Sequence, residues 1–228
     1  MLTSSSLHAN DFASKLKPHS IKYKVHLNSS KLGNTTLGKV ETNVSKTESG
    51  FSVHAIAKSQ GMGAILLGRM QEKCEFSINN QRAISHDCVA TVGKHDYPVS
   101  YSWSDQKLSF TTDDFLDMPQ GYVMNITVMP FAIAALKGQN LDKEIMYVVD
   151  AKNKRIRGYR HRLTEYETIE TAIGDINAVK VILERELKPE RTITMWLSPE
   201  HDYLPIHMQE HRKSRVTTLS LISIDVET

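Results

Sequence analysis

The sequence predicts a mainly β protein: an antiparallel meander forming a curved sheet, an open barrel or two packed sheets, with one short buried apolar helix. Three observations carry this. Apolar and polar residues alternate with period two over much of the chain. Turn-forming residues punctuate those stretches. One segment abandons the alternation for a run that is apolar nearly all round.

The alternation is clearest in four stretches. Ile21, Tyr23, Val25 and Leu27 share one side, with Lys22, Lys24 and His26 on the other. Phe51, Val53, Ala55 and Ala57 repeat the pattern. So do Val179, Val181 and Leu183 against Lys180 and Glu184, and Ile193, Met195 and Leu197 against Thr192 and Thr194. Successive side chains of a strand point to opposite faces, so each stretch reads as a strand with one wet face. Turn signals separate them: Asn28-Ser29-Ser30, Glu48-Ser49-Gly50, Asn79-Asn80, Ser104-Asp105 and Gly174-Asp175. Short turns join antiparallel neighbours, whereas parallel pairs need long crossovers.

The exception runs from Tyr122 to Leu136. Pro130 suits the first turn of a helix, where its missing N–H costs nothing. Gly138 suits the C-terminal cap. The predicted helix, residues 130–137, has no polar stripe and must be buried. The acidic, turn-rich stretch 113–121 reads as a loop dividing an N-terminal set of strands from a C-terminal set. No linker is long enough to separate domains. Residues 1–19 read as a signal-peptide remnant and N-terminal arm, and 20–228 as a single β-rich domain.

Hydrophobic residues make up 40% and charged residues 24% of the 228-residue chain, enough to bury a core of its own. The formal net charge of +2 lacks the basic excess of a nucleic-acid binder. No apolar run reaches the roughly 18 to 20 residues of a transmembrane helix. The stretch Ser4-Ser5-Ser6-Leu7-His8-Ala9 before Asn10 resembles the end of a secretory signal peptide, which implies a periplasmic protein beginning near Asn10. An ordinary Ser-rich terminus is the alternative.

The two cysteines are too few for a disulfide scaffold or a four-ligand zinc site. Pairing of two strands about Gln81 places Cys74 opposite Cys88. In an oxidising compartment this permits a cross-strand disulfide, and two buried free thiols are the alternative.

Local chemistry is sparse. His207, Gln209 and His211 share one face of a strand, but two such histidines stand ~7 Å apart along it, a poor span for one metal ion. Arg155, Arg157, Arg160, His161 and Arg162 form a basic stretch around Tyr159, extended by Lys152 and Lys154. Glu165, Glu167 and Glu170 follow at once, so the stretch reads as cross-strand ion pairing on a wet face. Gly61-Met62-Gly63 lacks the Lys-Ser/Thr of a phosphate loop and reads as a bend into an apolar strand or lid. No nucleophile elbow, zinc-protease helix, Walker loop or Cys-x-x-Cys is present. The sequence therefore predicts no catalytic residue, no metal and no cofactor.

Several phrases occur in a recognisable order. Lys31-Leu32-Gly33 follows the first strand, Ser49-Gly50-Phe51 opens a later one, and Pro119-Gln120-Gly121 precedes the apolar helix. Glu167-Thr168-Ile169-Glu170-Thr171-Ala172-Ile173-Gly174 leads into a Val-rich strand. Trp196-Leu197-Ser198-Pro199-Glu200-His201-Asp202-Tyr203-Leu204-Pro205-Ile206 closes the set and is its most specific part. Over roughly residues 20 to 226 the chain resembles an exported bacterial family catalogued as a domain of unknown function, number three thousand one hundred and eight. It departs from the pattern at Asn125 and Thr127, where an Asp and a Ser are expected. The resemblance implies export and a β-rich fold, and it supplies no activity.

Physics accounts for much of the closing phrase. Pro199 and Asp202 suit a turn. Pro205 cannot donate to a ladder and should mark an edge or a bulge. Trp196, out of phase with Ile193, Met195 and Leu197, should be buried beneath the 198–205 connection or the helix.

The leading functional expectation is non-catalytic binding of a lipid or other hydrophobic ligand in a β half-barrel, by analogy with periplasmic lipoprotein carriers. Met62, Met70, Met124, Met129, Phe131 and Ile133 are the candidate ligand-binding residues, because Met and apolar side chains adapt to pliable acyl chains. The alternatives are an envelope scaffold or assembly factor, with the terminal strand 216–226 accepting a partner strand, and a hydrolase acting on an envelope polymer.

Overall fold

Period-two alternation produces one continuous sheet. A computed structural model describes residues 16–60, 70–80, 82–111, 113–136 and 145–227. Its strands, in chain order, are β1 (His19–Ser29), β2 (Gly33–Thr47), β3 (Gly50–Ser59), β4 (Met70–Asn79), β5 (Arg82–Val92), β6 (His95–Ser102), β7 (Lys107–Thr111) and β8 (Asp114–Asp117). They continue with β9 (Tyr122–Asn125), β10 (Met146–Asp150), β11 (Arg155–Thr171), β12 (Gly174–Arg185), β13 (Arg191–Ser198), β14 (Leu204–Arg212) and β15 (Arg215–Val226). Among the described residues one α-helix, α1 (Met129–Ala135), lies between β9 and β10.

The first and last strands meet at the middle of the sheet. β1 pairs with β15, Ile21 opposite Ile224, and from that seam β1–β8 run one way and β15–β9 the other. Every pairing is antiparallel except β9 with β10. Parallel neighbours need a crossover, and α1 lies in it. The sheet then curls until β9 approaches β5. There the Ala83 N–H donates to the Tyr122 hydroxyl at 2.5 Å and the Asn125 N–H to Ser85 Oγ at 3.0 Å. The result is a single curled sheet rather than two packed ones, with β8 and β9 as its edges.

The helix sits inside this curl. Met129, Phe131, Ala132, Ile133, Ala134 and Ala135 are all buried, as a helix without a polar face requires. Phe131 extends a line of rings, 5.3 Å from Phe76, which is itself 5.5 Å from Phe51. Such offset pairs add to what area burial alone supplies. The helix starts one residue earlier than the sequence predicts, and Lys137 and Gly138 lie outside the described residues.

Other expectations need correction. The stretch 113–121 is not simply a loop: Asp114–Asp117 pairs with β7, Leu116 opposite Leu108, as the short edge strand β8. The terminal strand is not free to accept a partner, because β15 pairs with β14 on one side and β1 on the other. Of the edge or bulge expected at Pro205, the structure has the bulge. Leu197 faces Pro205 and Trp196 faces His207, which leaves Ile206 unopposed. Trp196 is 7% exposed. Its cover on the outer face comes from His207, at 4.9 Å between ring centroids, and from Lys180, at 5.4 Å from its ring.

Cys74 and Cys88 face each other and are disulfide-bonded. The hairpin reaches this register indirectly. Asn79 pairs with Arg82 at the turn, one step out of phase with Cys74 and Cys88, and a bulge past Phe76 and Ser85 restores the phase.

Candidate functional site

The concave face of the sheet encloses a cavity of about 540 Å³. Two halves of the sheet form its walls. Ile21 and Tyr23 of β1, Ala55 of β3 and Ala90 of β5 line one side, and Ile193 and Met195 of β13 with Met208 of β14 line the other. All of them follow the inward phase of their strands, which is why one face of the sheet yields a continuous apolar surface. The first turn of α1, with Met129, Pro130 and Phe131, reaches this surface. Beneath it the Tyr23 hydroxyl donates to the Pro205 carbonyl at 2.7 Å, tying β1 to the bulge in β14. The volume lies within the roughly 300–1,000 Å³ of small-molecule sites.

The lining is not uniformly apolar. Glu72 projects from β4, and the Asn125 side-chain amide donates to its Oε1 at 2.9 Å. Asn125 Oδ1 in turn accepts from the Thr127 N–H and hydroxyl, both at 2.8 Å, which fixes the turn leading into α1. Burial pushes the Glu72 carboxyl up to about 7; the Asn125 bond opposes that rise and the Asp150 charge adds to it. The two positions that depart from the family pattern thus brace this corner of the cavity. The Asn125 amide supplies a donor that an aspartate lacks.

At one end the cavity becomes charged. Asp150, at the end of β10, accepts from Arg155 Nε at 3.1 Å and from Arg157. Burial works to raise its carboxyl, but bonds from Asn153 and Arg155 and the Arg157 charge outweigh that and hold it below the usual carboxylate range. Glu210 and Arg212 of β14 form a second pair on the same lining. The basic stretch of β11 therefore divides by strand phase. Arg160 pairs with Glu186 at 3.3 Å on the outer face, as expected, whereas Arg157 turns inward with its side chain only 15% exposed.

The sequence-predicted binding residues separate in the same way. Met70, Met129 and Phe131 line the cavity. Met124 and Ile133 are fully buried in the core around the helix and do not reach it. Met62 lies outside the described residues. Sequence reasoning missed Glu72, Asp150, Glu210 and the inward arginines. Their signal was available: each keeps the phase of the apolar residues on its own strand. His207 and His211 belong to the outer face, where Gln209 bridges them at 3.4 Å to each. Among the described residues no group of three or more His, Cys, Asp or Glu side chains is arranged to hold a metal ion. Nor is any helix there long and apolar enough to cross a membrane.

A family model described as "Protein of unknown function (DUF3108)" matches residues 22–214. The chain belongs to this family. Among solved structures, the DUF3108 chain is similar to a β-barrel-like protein of domain of unknown function DUF1849 from Brucella abortus. That match has a TM-score of 0.62 at 9% identity and covers 93% of this chain and 99% of the other. At such identity the likeness establishes a shared fold and nothing further. A putative outer membrane lipoprotein-sorting protein domain from Vibrio parahaemolyticus also aligns, at TM-score 0.37 and 9% identity, over 96% of the DUF3108 chain and 89% of its own. No curated protein matches the sequence.

Proposed function

We propose that this protein is an exported, non-catalytic binding protein that holds a lipid or another hydrophobic ligand inside its curled sheet. The observation that carries the reading is the apolar cavity of about 540 Å³ bordered by the first turn of a buried helix. Apolar surface left unfilled inside a folded chain forgoes both dispersion contacts and hydrophobic stabilisation, so a ligand of matching shape gains both on entry. Export fits the disulfide between Cys74 and Cys88, since such bonds persist in oxidising compartments.

Native mass spectrometry of protein purified from an envelope fraction tests the reading. A mass adduct that organic extraction removes is the expected result. Protein that is ligand-free in every preparation and takes up no Nile red would overturn it.

A further inference from the structure

Four neighbouring strands carry inward-phased arginines at the same end of the sheet. Arg157 of β11 keeps the phase of buried Tyr159, and Tyr159 lies opposite Arg185 of β12. Arg185 keeps the phase of Val181 and Leu183, both fully buried. Leu183 faces Ile193, so the next inward step on each strand brings Arg185 towards Arg191 of β13. Arg191 then lies opposite Arg212 of β14. Adjacent strands stand ~4.8 Å apart, so the four form a row at one end of the cavity: Arg157 and Arg212 line it, and Arg185 and Arg191, on the two strands between, lie just beyond the lining.

Like charges on neighbouring strands repel and destabilise a sheet. Two carboxylates offset part of this row: Asp150 bonds to Arg155 and Arg157, and Glu210 to Arg212. No carboxylate pairs with Arg185 or Arg191 among the described residues. The Nε atoms of Arg157 and Arg191 are buried without a hydrogen-bond partner. Burial, with the charges of Arg157, Arg191 and Arg155, draws Arg185 below the ordinary guanidinium range. The row is thus short of anions at Arg185 and Arg191, just past the charged end of an apolar cavity, and arginine forks match the oxygens of carboxylates and phosphates.

We propose that this arginine row is a headgroup site and that the ligand is a single-chain amphiphile ending in a carboxylate or phosphate, its tail in the apolar cavity. The proposal rests on the cavity reading above. The tail follows the apolar walls inward from the mouth, while the headgroup supplies the negative charge that Arg185 and Arg191 lack. Binding then weakens with added salt, since a headgroup at a partly exposed mouth is screened.

The test is displacement of Nile red from the full-length protein by dodecanoate, dodecyl phosphate and dodecanol, at low salt. Both anions should bind about tenfold or more tighter than the alcohol, because hydrogen bonds to charged groups are the stronger kind. Whichever anion binds tighter identifies the headgroup. The double variant Arg185→Gln/Arg191→Gln should lose the preference while binding dodecanol like the wild type. Without ligand it should melt at or above the wild-type temperature, since repulsion is relieved. If it does not fold, Arg191→Gln alone takes its place. Equal affinity for acid and alcohol, or a preference untouched by the variant, overturns the headgroup site and leaves the cavity reading standing. Displacement by none of the three overturns the cavity reading, and this inference with it.

Discussion

The Asn125 side-chain amide donates to the Glu72 carboxyl at 2.9 Å, joining β9 to β4 where the sheet curls back on itself. The two residues are 53 positions apart in the chain, and the bond holds a half-buried acid against the wall of the cavity.

That acid makes stability depend on pH. The Glu72 carboxyl is raised from an ordinary value of 4.5 to about 7 in the folded protein. The folded state therefore holds a proton that the unfolded state releases first. Stability from this group is full below pH 4.5 and is lost as pH rises through about 7. The loss is on the order of 3 kcal/mol. Urea midpoints measured from pH 4 to pH 8 should fall accordingly. Glu72→Gln should flatten that part of the curve, and an unchanged curve in the variant would assign the dependence to another group.

Trp196 lies on the outer face in a row with Glu167, Lys180 and His207. Its indole N–H donates to Glu167 Oε2 at 2.7 Å, and Lys180 pairs with the other oxygen of the same carboxylate at 2.8 Å. Trp196→Ala removes a large, nearly buried surface and should cost ~3–5 kcal/mol. Trp196→Phe keeps most of the ring and should cost a fraction of that. Equilibrium denaturation of both variants checks the order. A wild-type midpoint in the alanine variant would show that the ring contributes no packing.

The bond between Cys74 and Cys88 spans 14 positions. A loop of that length restricts the unfolded chain enough to stabilise the fold by ~3 kcal/mol. Reduction with dithiothreitol should lower the melting temperature of the wild type. It should leave Cys74→Ala/Cys88→Ala, already at the lower value, unchanged. Equal melting of oxidised and reduced wild type would mean that the bond adds nothing to the fold.

Ile133 and Met70 separate folding from binding. Ile133 is a fully buried residue of α1, so Ile133→Asn both empties packed space and strands a polar amide. It should cost more than ~3 kcal/mol and lose ligand uptake with the fold. Met70 lines the cavity yet is 39% exposed. Met70→Gln should melt within about 0.5 kcal/mol of the wild type while binding Nile red several-fold more weakly. Melting curves and Nile red titrations on the same preparations make the comparison. Undiminished Nile red binding in Met70→Gln would place the ligand elsewhere.

Much of the fold is legible in the chain because a strand writes its two faces into alternate residues. Ile21, Tyr23 and Val25 announce their strand without help from any neighbour, and Pro130 with the apolar residues after it announces α1. Gly174 takes φ +116° in its hairpin, a conformation that favours glycine. The family phrases, too, sit in strands and turns that local chemistry largely explains. Less legible was the pairing of Cys74 with Cys88, where the right register comes from an off-centre turn corrected by a bulge.

Alternation fixes which side chains of one strand share a face, and helical pattern fixes that α1 must be buried. It does not fix which strands become neighbours or how far the sheet curls. Only the tertiary structure brings Asn125 of β9 onto Glu72 of β4, sets the last strand against the first at the sheet's centre, and gathers Arg157, Arg185, Arg191 and Arg212 at one end of neighbouring strands. Those relationships depend on long-range pairing and on accumulated twist and bulges, which no local stretch of sequence encodes by itself.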